Sequence, residues 1–472
     1  MKVLIIHFRS APNKNRAITD INRYDSAGTD GVSLEMAKRQ ALLEDMGNEV
    51  AICSAYSWAD YPISSLEFDR EEVDNMRKDL FGLRITDSSN EAKLQMKFDI
   101  AVNALKKKLY KVVYELHPDL IFVHNILCLP LHPVATVGLV ELLEETGIPC
   151  AAIHHDVLSE GAYKFSPTCE FARKILENYF PPKMPSIRHW TINTRNKAYL
   201  SDKNVEAEII HDSMDFENIL DEETRKEMRD QLRTKYSIKS NDIVLFVGAR
   251  IVPNKQTELA GHLTAVLQNM HRELIGKTLY NGQAFTDESR IMLVLAGRPE
   301  RDFLEYQNNL FQLFDTLNIN WRYVGNDVTP YTSEDGRFNA LYPDMHTIAD
   351  FVLYPTGWEG FGNQLLEAFA SNLPVVVFEY PVFKEDIASK GVKVVSLGRA
   401  ILKERDARGF SQLPVRVLKE AAYEMKRILT DAPMYKNITT NNIEVGKSNF
   451  SFKQLRTHLT DAIKWARIMT NK

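Results

Sequence analysis

DFVLYPTGWEGFGNQLLEAFASNLPVVVFEY, residues 350–380, reads as strand, loop, helix, strand. Two unbroken apolar runs joined through a glycine-bearing loop and a helix-forming LLEAFA stretch form the pattern of a parallel β-α-β unit, whose strands are buried on both faces. Gly360 and Gly362, around Phe361, suit a loop whose backbone must approach another group closely. A loop entering a helix also points unpaired backbone N–H groups forward, and these favour an anion. The segment is therefore a candidate phosphate cradle, with Glu359 in the loop and Glu367 in the helix.

The same pattern extends outward. DIVLFVGAR, RIMLVLAGR and WRYVGND precede it as further strands separated by helical stretches, which implies a second parallel sheet in the C-terminal half. The N-terminal half alternates likewise: VLIIHF, EVAICSA, DLIFVHN and IPCAAIHH are strands, and VSLEMAKRQALLEDMG, AVNALKKKLYKVVYELH and VGLVELLEETG are helices. Such an alternation gives an α/β fold of two Rossmann-like, doubly wound parallel-sheet domains, expected to face each other across a cleft. The boundaries read as 1–210 for the first domain and 211–450 for the second, with an amphipathic helix near 451–472 packing back on the first. Lys106 to Lys108 read as a solvated helix face, and residues 281–290 as a surface insertion.

Composition narrows the class. A chain of 472 residues exceeds one ordinary core, and 44% hydrophobic with 26% charged residues is a globular balance. A net charge of -5 and a pI near 6.2 give no electrostatic case for a nucleic-acid partner. Cys53, Cys128, Cys150 and Cys169 form no C-x-x-C pair and read as reduced core thiols. MKVLIIHFRS is too short in its apolar run for a secretory segment and reads as the first strand. No run is long enough to span a bilayer, so a cytoplasmic protein is expected, with peripheral membrane contact left open.

Two constellations carry chemistry. In VGARIVPNK, Arg250 and Lys255 follow a buried strand, where open α/β sheets bind ligands, and two cations there can clamp a diphosphate. The alternative is a pair of exposed cations capping a loop. Amides around Gly362, Asn363 and Gln364 would face the same place. Glu367 can accept hydrogen bonds from the vicinal diol of a ribose, or be simply a favourable acid near a helix N-terminus. Glu359 can meet a sugar hydroxyl, or be a solvated loop residue.

EGFGNQLLEA with its E-x7-E spacing, followed by NLPVVV and preceded by GARIVPNK, resembles the retaining, nucleotide-sugar-dependent glycosyltransferases of the GT-B fold, family four above all. The likeness covers most of residues 209–390, from IIHDSMDF onward, and is weaker in residues 1–200. It implies that Arg250 and Lys255 hold the donor diphosphate, Glu367 the ribose and Glu359 the transferred sugar, with Phe361, Gly362, Asn363 and Arg298 completing the donor set. It implies further that Gly31, in GTDGVSLEM, lies near the transfer site, and that His154 or His155 faces the donor sugar, oriented by Asp156. Departures are Ala249, Gln256, Asn363 and Asn372; asparagine at the last position tolerates the left-handed conformation. The combination of HHD, GTDGVSLEM and RHWTIN weakly resembles enzymes that glycosylate small acids or sugars, the mannosylglucosylglycerate synthases among them.

The chemistry expected is hexose transfer from a nucleoside diphosphate sugar of GDP-mannose or UDP-glucose type to an acceptor hydroxyl, the sugar nucleotide being a co-substrate and no cofactor being needed. Cations and amides would stabilise the leaving diphosphate. No D-x-D occurs, which fits transfer without a metal. Retention, as the resemblance implies, would proceed by front-face attack, the leaving phosphate taking the acceptor's proton. A small sugar, sugar-acid or glycan acceptor would meet Arg9, Thr29, Asp30, Asp156, Tyr163 and Lys164 in the first domain, although each cation alone also reads as an ordinary surface residue. The other classes considered are a nucleotide-sugar epimerase and a two-lobed sugar-binding protein. VGKSN at 445–449 is not a P-loop, since Asn441 stands where its first glycine is required, and reads as a loop before the last helix.

Overall fold

Continuous apolar runs become buried parallel strands in both halves of the chain. The computed structural model describes residues 1–11, 30–82, 87–158, 165–329, 340–341 and 343–470. It divides into two compact units, Met1–Asp212 with Leu455–Lys472, and Ser213–Gln454.

In the first unit the strands are β1 Lys2–Ile6, β2 Glu49–Ser54, β3 Tyr61–Pro62, β4 Leu120–His124, β5 Cys150–His154, β6 Ile187–Thr191 and β7 Ala207–Ile209. They form one parallel sheet in the order β3-β2-β1-β4-β5-β6-β7. Strand order reverses at β1, which sits between β2 and β4. Its carboxyl end is therefore a topological switch point, the place where open α/β sheets hold ligands. The helices Gly31–Asp45, Ser88–Leu116 and Pro133–Thr146 stand where the 3.6-residue periodicity places them.

Lys106 departs from the expected solvated face. Its ammonium lies 2.6 Å from Glu141 and 3.0 Å from Glu145, joining helix Ser88–Leu116 to helix Pro133–Thr146. A helix that packs on a neighbour along most of its length leaves its flanking lysines within reach of that neighbour's acids. The C-terminal helix Phe452–Thr470 buries Leu455, Leu459 and Ala462, and Arg456 bonds Asp45 at 2.6 Å.

In the second unit the strands are β8 Ile243–Val247, β9 Ile291–Leu295, β10 Asn320–Tyr323, a small parallel pair β11 Val328–Thr329 and β12 Ala340–Leu341, β13 Phe351–Tyr354, β14 Val375–Val377 and β15 Val395–Ser396. The main sheet runs β10-β9-β8-β13-β14-β15, all parallel. Its switch point falls at β8, between β9 and β13. Close approach is needed there. A Cβ on Gly297 would stand 1.7 Å from the Ala249 carbonyl oxygen, and glycine lets the loops after β8 and β9 lie side by side.

Two expectations are corrected. Residues 445–449 lie inside the helix Ala432–Phe450, not in a loop, and Gly446 is there because a Cβ would meet the Phe216 ring at 2.3 Å. Residues 281–290 are more than a surface insertion: Phe285 is fully buried in the core, and Thr278 pairs antiparallel with Ala284. None of the four cysteines forms a disulfide. No helix among the described residues is long and apolar enough to cross a membrane.

Candidate active site

At the β8 switch point the chain makes a short 3-10 turn, Pro253–Lys255, and then passes through Gln256 at φ 49. A left-handed residue after the lysine explains why glycine suits that position and why glutamine is strained but tolerated. The loop after β13 docks onto this turn. The Gly357 amide donates to the Asn254 carbonyl at 3.0 Å, and a Cβ on Gly357 would meet the Gln256 side chain at 2.8 Å. Lys255, whose side chain is only 7% exposed, thereby pairs with the Glu359 carboxylate.

Glu359 is held from a second side by the Tyr354 hydroxyl, which donates to it at 2.9 Å. Burial, and then the Glu359 charge, push the Tyr354 hydroxyl well above its ordinary range, so it remains a donor. Tyr380, also buried, donates to the Phe361 carbonyl, and its pKa is raised chiefly by burial. Gly362 begins the helix Asn363–Ala370 at φ 140, and a Cβ there would stand 2.5 Å from the Tyr380 hydroxyl. Two tyrosines thus fix the loop from beneath. Tyr380→Phe leaves the Phe361 carbonyl without its donor; a loss of about 1–3 kcal/mol of loop ordering is expected. The check is turnover, expected about tenfold lower with circular dichroism unchanged.

Glu367, 16% exposed, lies on that helix with its carboxylate 3.9 Å from His346 Nε2. Asn372 adopts φ 57 just past the helix, the left-handed conformation anticipated for it. Arg250 is half-exposed and pairs with Glu300. Arg298 donates to the Gly325 carbonyl at 3.0 Å and the Val328 carbonyl at 2.8 Å. The structure therefore brings Lys255 and Glu359 into contact and places Phe361, Gly362, Asn363 and Glu367 on the adjoining loop and helix, whereas Arg298 clamps backbone.

In the first unit the two candidate histidines part company. His154, the last residue of β5, is fully buried with its Nε2 2.9 Å from His189 Nδ1. His155 leaves the strand, its Nε2 3.1 Å from His124 Nδ1 and its Nδ1 3.8 Å from Asp212. Burial, reinforced for His154 by His189 and for His155 by Arg39, holds both imidazoles well below the usual histidine range, hence neutral at pH 7. Asn125 organises the turn: its side-chain oxygen accepts from the His155 and Asp156 amides at 2.9 and 3.1 Å, and its nitrogen donates to Asp156 at 2.8 Å.

Asp30 caps the helix that starts at Gly31, accepting from the amides of Val32 and Ser33 at 3.1 and 3.0 Å. Arg9 lies over the Phe68 ring at 4.4 Å and pairs with Glu67 and Asp69. Thr29, Tyr163 and Lys164 lie outside the described residues. Sequence reasoning missed Tyr354, Tyr380, Asn125 and His346. Tyr354 and Asn125 stand at or just past strand ends, Tyr380 three residues beyond one and His346 in the 3-10 helix Pro343–Ile348, positions that carry no specific signal.

The chain matches known proteins over nearly its whole length. Residues 336–411 match the model of the family described as glycosyl transferases group 1. Mannosylglucosylglycerate synthase of Thermotoga maritima is 31% identical over 468 residues, covering 98% of this chain and 99% of the relative. Sucrose-phosphate synthase of Thermosynechococcus elongatus shares the fold at a TM-score of 0.58 and 12% identity, with 100% of each chain covered. HepE of Anabaena, solved in complex with UDP-glucose, does so at a TM-score of 0.53 and 13% identity, covering 98% of this chain and 99% of that one.

Proposed function

As this chain belongs to the group 1 glycosyltransferases of GT-B fold, we propose that it moves a hexose from a nucleoside diphosphate sugar to a hydroxyl of a small sugar or sugar-acid acceptor, with retention and without a metal ion. The observation that carries this reading is the contact between Lys255 and Glu359 at the β8 switch point, which unites the two halves of the donor motif. In the proposed reaction Lys255 and Arg250 take the charge that develops on the leaving diphosphate, as preorganised cations do most effectively where water is excluded. Glu359, steadied by Tyr354, meets the sugar. Glu367 receives the ribose diol. The neutral state of His155 suits it to accept or donate a hydrogen bond near the sugar without adding charge. The curated relative's name favours a mannosyl donor and an acceptor built on glycerate, and the UDP-glucose complex of HepE makes a uridine donor the competitor.

A thermal-shift screen of GDP- and UDP-sugars, followed by an acceptor panel with the product's anomeric configuration read by NMR, tests the reading. Sugar release or epimerised donor without acceptor would point instead to hydrolysis or epimerisation. Turnover that persists in EDTA is expected. Glu367→Ala is expected to weaken nucleoside diphosphate binding about tenfold to a hundredfold, the worth of one or two hydrogen bonds to a charged group. Titration calorimetry showing wild-type affinity would remove Glu367 from the donor set.

A further inference from the structure

Glu367 has a neighbour in the second unit that the reading above does not use. His346 belongs to the 3-10 helix Pro343–Ile348, and its imidazole is 1% exposed with Nε2 3.9 Å from the Glu367 carboxylate. The Phe246 ring of β8 meets it edge-on, the ring centroids 4.9 Å apart at 64°. The backbone that carries His346 is clamped in turn. Arg229 donates to the Thr347 carbonyl at 3.0 Å and the Ala349 carbonyl at 2.7 Å, Arg233 donates to the Ile348 carbonyl at 2.9 Å, and Asp350 holds both guanidiniums.

A buried imidazole fills apolar space poorly, because its ring nitrogens lose water where leucine or phenylalanine would lose nothing. Against a carboxylate the same ring has a use. Glutamate is long and flexible, and the freedom it gives up on meeting a ligand weakens binding unless the fold has already removed it. At 3.9 Å an N–H and a carboxylate attract without closing a hydrogen bond. The contact therefore limits where Glu367 settles and consumes none of the lone pairs that would accept from hydroxyl groups. His346 cannot drift with the acid, since Phe246 wedges the ring and the chain is held at the Thr347, Ile348 and Ala349 carbonyls.

We propose that His346 is a positioning residue for ribose recognition: its Nε2–H holds the Glu367 carboxylate ready for the vicinal hydroxyls of the donor nucleotide, and so sets a preference for ribose over deoxyribose. This rests on the reading of Glu367 as the ribose acid and deepens it. His346 itself touches no substrate. The ribose is remote from the bond that breaks, so loss of His346 should raise KM for the donor about tenfold and leave kcat within about threefold.

The test is titration calorimetry on the full chain with UDP and GDP beside dUDP and dGDP. Wild type should prefer the ribonucleotide by about tenfold or more, the worth of a hydrogen bond to a charged group, and Glu367→Ala should abolish that preference. In His346→Leu the preference should shrink to within about threefold. A preference of wild-type size in that variant overturns the proposal and leaves Glu367 and the transferase reading standing. A wild type that binds ribo- and deoxyribonucleotides alike removes the ribose role of Glu367 together with this proposal, and binding of none of the four removes the transferase reading as well. His346→Gln, whose side-chain amide reaches about as far as Nε2, should keep the preference, whereas His346→Asn, shorter by a methylene, should lose it. Equal preferences in these two variants count against a role through Nε2, and they decide the question if His346→Leu does not fold. A purely structural role would weaken both kinds of nucleotide alike and would not separate glutamine from asparagine.

Discussion

Lys255→Ala is expected to lower kcat by about a hundredfold to a thousandfold, the effect of removing one preorganised group that stabilises developing negative charge in a water-poor site. The side chain is nearly buried and its partner Glu359 is 27% exposed, so the carboxylate left behind keeps the Tyr354 hydroxyl and gains water. Stability should change little. That separates this variant from a folding defect, and steady-state kinetics beside a thermal melt will show the difference. Arg250→Ala should have the smaller effect, because Arg250 is half-exposed and its field is screened by solvent. A kcat for Lys255→Ala within tenfold of wild type would remove Lys255 from the site.

Asp350→Ala should produce the largest loss of stability. This carboxylate, 1% exposed, receives Arg233 at 2.7 Å, Arg229, the Val244 amide at 2.6 Å and the Tyr280 hydroxyl at 2.8 Å. Arg233 in turn donates to the Ile348 carbonyl at 2.9 Å, so the cluster ties the helix Glu222–Lys235 to the amino-terminal ends of the central strands β8 and β13. Removing the acid leaves two largely buried guanidiniums uncompensated, a situation that costs about 3–5 kcal/mol. For a unit of this size the melting temperature should fall by about 10 °C. Burial alone would raise the Asp350 pKa; Arg233 and then Arg229 outweigh it and hold the carboxyl below its ordinary value. Because the folded-state value is depressed, the stabilisation is complete above the unfolded value of about 3.9 and is lost as pH falls through the folded value. Calorimetry between pH 7 and pH 3 should show wild type losing its advantage over Asp350→Ala at the acid end. A parallel fall of both curves would refute the sign.

Much of the second unit was legible because its signals are local. β8, β9, β13 and β14 are unbroken apolar runs, and a run buried on both faces needs no information from elsewhere to be recognised. β3 and β15, each two residues long, are strands only because a neighbour offers a ladder to pair with. Gly446 looked like part of a loop because a glycine is a breaker by propensity; against Phe216 it is a packing requirement inside a helix. Glu35 and Arg39 form an i,i+4 pair, which on most helices is a surface decoration, and here both side chains are fully buried.

Residue order and type alone establish two doubly wound α/β units and a glycine-bearing loop that leads into a helix, since hydrophobic periodicity and glycine placement act over a few residues. They do not establish which acid neutralises which base. Lys255 meets Glu359 across 104 positions, His155 lies against His124 and away from His154, and Arg39 keeps an unmatched edge. Those relations depend on which strands become neighbours and on what each side chain finds once water is gone, and desolvation is a property of the packed chain rather than of any segment in it.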